Sequence, residues 1–391
     1  MKRDFSNSKL LTYAILSISM ITVMASAAVS PALANISKAF PEASTSLIKT
    51  ILTLPSLFII PFSLLSGRLA NRFGNKKVLL IGVLIYLIGG IGPAFVNTVP
   101  MVLFYRAVLG VGCGLIMPIS QALIASNFEG SMKAKITGYS GAASYLMGVI
   151  ASLVVAPISS IDWHYSFYIY LIAFVVFLLN YFVLPADEPR TQSDKESEVE
   201  IPARVWWVVL GLLLINIAFY AVPANIALFM QEIGITNSRK AGYVISFFMV
   251  SGFIAGLLMG AIQKLVKSYL VLLGTAIMAV GYIVLSYTSE MLFISVGASL
   301  VGFSFGILFP AFMNLVNTKC SGRTCVIALS YASCFHFMGQ FLSPFVLQGV
   351  KNVLGVTSLR YDFIVLAVSL SLATFIYLGY KIVAYFKKSV N

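Results

Sequence analysis

Charged side chains are scarce in this 391-residue chain: Asp, Glu, Lys and Arg together supply 10%, where a soluble domain carries about 25%. With 59% hydrophobic residues and a mean hydropathy of +0.95, a water-soluble globular domain is excluded. Cysteine is down to four with no paired spacing, so no disulfide framework is indicated; Cys320 and Cys325 flank a loop, where a zinc site would lack further ligands. The thirteen acids all fall in loops or at the ends of apolar stretches. No nucleophile–base set, phosphate loop or metal cluster appears, so neither an enzyme nor a cofactor is expected. The net charge of +13 would suit nucleic acid on a soluble fold, but here it is spread over loops between apolar runs, and no nucleic-acid partner is expected.

What remains is apolar sequence in lengths that cross a bilayer, about 20 residues each. Spans are predicted near 10–32, 46–67, 78–96, 101–125, 136–158, 164–184, 205–231, 241–263, 269–288, 291–316, 324–349 and 361–383. With the N-terminus cytoplasmic, nineteen Lys and Arg fall inside and six outside, with Arg106 within a span, so both termini are expected in the cytoplasm. Lys2-Arg3, the following apolar run and Ala25-Ser26-Ala27 imitate a cleavable secretory signal. The run continues through Val29 and eleven spans follow, so a retained first helix is the simpler account.

A polar stretch with three prolines and six acids, residues 185–204, lies near the midpoint and reads as a solvated linker between halves 1–184 and 205–391. A repeat supports the division. Gly110, Gly114 and Pro118 in span four meet Gly302, Gly306 and Pro310 in span ten, each displaced by 192, and Pro31 meets Pro223 at the same offset. Gly67 meets Gly260, and Gly148 in Tyr-Leu-Met-Gly meets Gly339 in His-Phe-Met-Gly, within one residue of that offset.

Gly67-Arg-Leu-Ala-Asn71-Arg72-Phe-Gly74-Asn-Lys76-Lys77, between spans two and three, resembles the signature of the major facilitator superfamily. Arg106-Ala-Val-Leu-Gly110-Val-Gly112-Cys-Gly114 resembles its span-four motif, Ser30-Pro31-Ala-Leu-Ala-Asn35 its exit from span one, and Asp162-Trp163-His164 its start of span six. The resemblance covers the whole chain and implies an all-α membrane protein: twelve transmembrane helices in two six-helix bundles related by a parallel pseudo-twofold. It also implies that Gly67, Asn71, Arg72, Gly74, Lys76 and Lys77 form a conformational latch. Asn71 stands where the family usually has Asp, which implies a weaker or pH-insensitive latch. The Gly-Pro-x-x-Gly-Gly pattern frequent in the family's antiporters is missing from span five.

Physically, Gly67 and Gly74 are expected to permit a tight turn, and Trp163 to anchor at the interface. A buried Arg106 must face a cavity or find partners, or else snorkel; in proton-coupled relatives the corresponding Arg is implicated in proton transfer. His336 is the mid-span group whose unperturbed pKa, about 6.5, lies near neutrality. Arg106 and His336 are therefore the candidates for proton coupling, with a packing role open for each. Polar residues that could line a substrate cavity are Thr22, Ser26, Ser140, Ser144, Tyr145, Asn216, Tyr220, Ser333 and Gln340, although hydroxyls in membranes also serve as helix glue.

The expectation is a bacterial-type secondary transporter in the cell membrane, a monomer, moving a small amphipathic organic molecule by alternating access. The leading mode is proton-coupled efflux of the multidrug type. Symport or facilitated uptake of a metabolite, and a lipid flippase or sensor on the same scaffold, stay open.

Overall fold

The computed structural model describes residues 9–185, 201–320 and 322–390. Most of the expected linker, residues 186–200, lies outside them. Contacts divide the chain into two compact units, Met1–Glu198 with Asn237–Gly242, and Val199–Thr236 with Tyr243–Asn391.

In the first unit, α1 (Lys9–Ala27) passes through a 3-10 turn at Ser30–Ala32 into the short α2 (Leu33–Ala39). Then come α3 (Thr45–Phe73), α4 (Asn75–Ile91), α5 (Val99–Asn127), α6 (Gly130–Ile158), a 3-10 stretch Trp163–Leu171 and α7 (Ile172–Val183). After α8 (Ala203–Glu232) come α9 (Ser238–Val266), α10 (Leu270–Tyr287), α11 (Met291–Lys319), α12 (Gly322–Leu354) and α13 (Arg360–Val390). Among the described residues all regular structure is helical, as a bilayer requires of segments that must satisfy their own backbone.

Among the described residues, eleven helices are long and apolar enough to cross a membrane. The 33-residue α12 coincides with the remaining span predicted from sequence and carries Ser330, Ser333, His336, Gln340 and Ser343.

Between α3 and α4 the chain turns on Gly74, whose φ of +88° is in the left-handed region that favours glycine. Gly67 does not share in this turn, contrary to expectation: α3 continues through it to Phe73, and open space faces its Cα. The expected interfacial Trp163 is instead buried at 8% exposure, edge-on to Phe40 at 5.3 Å and packed on the His164 ring at 3.8 Å. Asp162 caps its 3-10 stretch by accepting from the His164 amide, and that bond, with a second from the His164 ring, holds its carboxyl below the ordinary value.

Each unit closes on its repeated glycines. A Cβ on Gly110 would lie 2.4 Å from the Pro55 carbonyl of α3, and one on Gly302 2.1 Å from the Phe248 carbonyl of α9. In both motifs, therefore, the glycine row lets two helix backbones touch.

The second unit also buries an ion pair that no sequence pattern signals. Lys351 Nζ on α12 lies 3.3 Å from Asp362 Oδ1 on α13, both side chains almost wholly enclosed. Asp362 stands at a span end, as expected; the fold covers the start of α13, and the pairing offsets part of the desolvation cost of both charges.

Two outcomes follow for stability, each readable as the thermal unfolding midpoint of the purified protein in detergent. Gly112→Val, whose Cβ would lie 2.5 Å from the Tyr86 backbone nitrogen, should cost about 1–3 kcal/mol, whereas Gly260→Ala, facing open space, should cost nothing. Lys351→Met should cost about 3–5 kcal/mol by stranding a buried carboxylate, and the double change Lys351→Met with Asp362→Leu should recover most of that loss.

Candidate functional site

Arg106 is fully buried in the first unit, and its partners explain how a cation survives there. Its Nε donates to the Ile51 carbonyl of α3 at 2.8 Å, Nη2 to the Ala25 carbonyl of α1 at 2.6 Å, and Nη1 to the Tyr170 hydroxyl at 2.9 Å. Both carbonyls are ones the helical ladder cannot satisfy. Pro55 has no N–H to give Ile51, four residues earlier. Where α1 tightens into its 3-10 turn, the Val29 N–H bonds Ser26 rather than Ala25. Tyr170 also donates to Ala25, at 2.9 Å, and Tyr86 to Ile21, at 2.7 Å, so α1 is held by a guanidinium and two phenols.

The first unit's expected cavity hydroxyls are largely engaged in helix contacts. Ser19 Oγ lies 2.6 Å from Ser140 Oγ and 3.3 Å from Ser120 Oγ, while Ser144 donates to the Ser19 carbonyl at 2.7 Å. This cluster ties α1 to α5 and α6. Thr22 donates to the Ser19 carbonyl on its own helix at 2.8 Å; Ser26 and Tyr145 are half-buried. Of the expected latch, Asn71, Arg72 and Lys77 are exposed. Lys76 reaches the Leu184 carbonyl at the end of α7, with its ammonium 5.7 Å from the Tyr181 ring.

In the second unit, His336 on α12 sits among aromatic rings. Its centroid is 4.8 Å from Phe337, 5.1 Å from Phe309, 6.2 Å from Phe305 and 6.3 Å from Tyr220. Phe219 stacks on Phe305 at 3.7 Å and extends this aromatic cluster. His336 Nδ1 is buried with no hydrogen-bond partner among the described residues. One turn away, Gly339 brings α12 against Asn216 of α8, whose Oδ1 is also buried without a partner while its amide donates to Leu212. The structure thus gathers His336, Tyr220 and Asn216 on facing helices. Gln340 is buried; Ser333 is exposed and bonded to its own helix at Leu329.

The sequence did not signal the partners of Arg106 and His336. Tyr170 and the carbonyls of Ala25 and Ile51 carried no motif, although Pro55 four residues after Ile51 was a usable sign of a free acceptor. Phe305 and Phe309 lie in the span-ten motif and pass for lipid-facing bulk. The repeat itself diverges here: the position 192 after Arg106 is Ala298, and His336 meets Tyr145. Among the described residues no group of three or more His, Cys, Asp or Glu could hold a metal ion.

Comparison with known proteins agrees with this architecture. The chain is 25% identical over 333 residues to the Bacillibactin exporter of Bacillus subtilis, covering 78% of this chain and 81% of that protein. A 104-residue stretch is 34% identical to Multidrug resistance protein 3 of the same organism, covering 26% of this chain and a fifth (20%) of that protein's length. The solved structure of the nucleoside transporter NupG matches with a TM-score of 0.80 at 12% identity, over 94% of this chain and 99% of that one. A bacterial homolog of the human lysosomal transporter Spinster, inward-facing and occupied, gives 0.73 at 16% identity over 94% and 95%. At such identities the likeness speaks for the fold alone. The Major Facilitator Superfamily model matches residues 15–344, and with the glycine-closed helical units described above this places the chain in that family of membrane transporters.

Proposed function

We propose that the protein exports small amphipathic organic molecules across the cell membrane by alternating access, driven by proton entry. The observation that carries this reading is the surroundings of His336: an imidazole whose buried Nδ1 has no hydrogen-bond partner among the described residues, packed among aromatic rings on a membrane helix. An unpaired ring nitrogen can take and release a proton, and aromatic faces attract organic cations and flat apolar groups. Asn216 and Tyr220 add polar groups on the facing helix, so one cluster combines proton and ligand chemistry. The similarity to the Bacillibactin exporter supports the direction of transport.

Arg106 serves this function as a positioning residue. A guanidinium keeps its proton in proteins, so it cannot be the carrier. Its bonds to Ile51, Ala25 and Tyr170 fix α1, α3 and the 3-10 stretch against α5. The motif from Gly67 to Lys77 acts as the latch on the cytoplasmic side, with both termini on that side and the protein working as a monomer. In this latch Asn71 contributes hydrogen bonding without charge.

Flux into proteoliposomes under an imposed pH gradient tests the reading. Export predicts movement of a dye-like organic cation opposite to protons; co-directional flux would establish symport, and flux indifferent to the gradient would remove coupling. His336→Ala should abolish acceleration by the gradient while leaving passive exchange, a change of about 5- to 150-fold if its coupling is of the usual 1–3 kcal/mol. Unaltered gradient dependence in this variant would end the assignment.

Arg106→Met should lower the unfolding midpoint sharply, since each bond from a charged donor contributes about 1.5–3 kcal/mol. Adding Pro55→Ala should restore part of that loss, because the new backbone N–H supplies the Ile51 carbonyl. No rescue would mean that this carbonyl is not what Arg106 satisfies.

A further inference from the structure

Two of the four cysteines are brought together by the fold and take no part in the transport reading. Cys320 is the extended residue that ends α11, and Cys325 belongs to the opening of α12. Both thiols turn back over the last turns of α11. Cys320 Sγ donates to the Val316 carbonyl at 2.9 Å, and Cys325 Sγ to Asn317 Oδ1 at 3.0 Å. Val316 and Asn317 are adjacent residues, so their acceptors draw the two sulfurs to one place. The thiols are within hydrogen-bonding reach of each other as well.

The chemistry of the pair is narrow. Both thiols are free and half-buried, unlike Cys113, which is sealed inside α5. Two sulfurs without a third ligand do not make a zinc site. Two adjacent, reachable thiols do make a disulfide precursor. Burial and the hydrogen bond with Cys325 push the Cys320 thiol above its ordinary value, so it stays protonated.

We infer that Cys320 and Cys325 form an oxidisable dithiol, a modification site where peroxide closes a reversible bridge between the end of α11 and the start of α12. In the first step the Cys325 sulfur attacks one peroxide oxygen, the O–O bond breaks, water leaves and a sulfenic acid remains. In the second, the Cys320 sulfur displaces the hydroxyl as water and the S–S bond forms. Two thiols lose two electrons and two protons, and one peroxide becomes two waters.

The test uses the full-length protein in detergent, treated with hydrogen peroxide and then denatured in the presence of a maleimide. Two of the four thiols should become unreactive, the intact mass should fall by two hydrogens, the protein should stay free of covalent dimers, and dithiothreitol should restore all four thiols. Peptide mapping of the unsubstituted protein should find residues 320 and 325 in one cross-linked pair. In Cys320→Ser and in Cys325→Ser the bridge should not form. Four thiols still reactive after peroxide, a gain of oxygen without loss of hydrogen, a cross-link mapping to Cys113 or Cys334, or a bridge persisting in Cys320→Ser would each overturn the inference.

Discussion

A carbonyl oxygen released from a helix inside hydrocarbon has no water to turn to, and in the first unit this constraint decides where polar side chains go. Pro55 frees the Ile51 carbonyl, Pro31 frees that of Ala27, and the tightening of α1 frees that of Ala25. Arg106, Ser152 and Tyr170 lie where those acceptors point. Breaks in the ladder and buried donors are therefore two sides of one arrangement. The breaks leave carbonyls without a partner in the ladder; the donors make those breaks tolerable.

The second unit holds its first helix by the same means with milder chemistry. Tyr282 donates to the Ala218 carbonyl of α8, and Ser343 to that of Ile217 at 2.7 Å. No guanidinium is needed, and Ala298 fills the place that Arg106 occupies in the first unit. The chemistry reserved to the second unit is instead the aromatic cluster around His336. The repeat conserves how helices are clamped and diverges in which titratable or charged group each unit buries, a division expected of a duplicated scaffold that has taken on one function.

The spans, the repeat and the need of a buried Arg106 for partners were legible in sequence because they rest on local quantities: run length, glycine and proline offsets, and charge where charge is rare. What was not legible depends on which surfaces meet. Asp362 sits at a span end by composition, yet packing covers it and supplies Lys351. Trp163 has the composition of an interfacial anchor, yet Phe40 and His164 enclose it. Ser140 and Ser144 lie on a polar stripe that suggests a cavity wall, whereas the distance between α1 and α6 makes them contacts. The same limit applies at Gly67, where a motif glycine turned out to lie within α3, because Gly74 alone supplies the left-handed conformation.

The order of the Arg106 partners along the chain bears on how the protein is made. Membrane chains are laid down from the N-terminus, and α1 and α3 precede α5. The oxygens of Ala25 and Ile51 are therefore at depth before the guanidinium arrives, so the cation can be handed from the translocation machinery to waiting acceptors rather than left exposed to lipid. Reversing that order, as in a circular permutant beginning at α5, would send the charge into the bilayer with nothing to receive it.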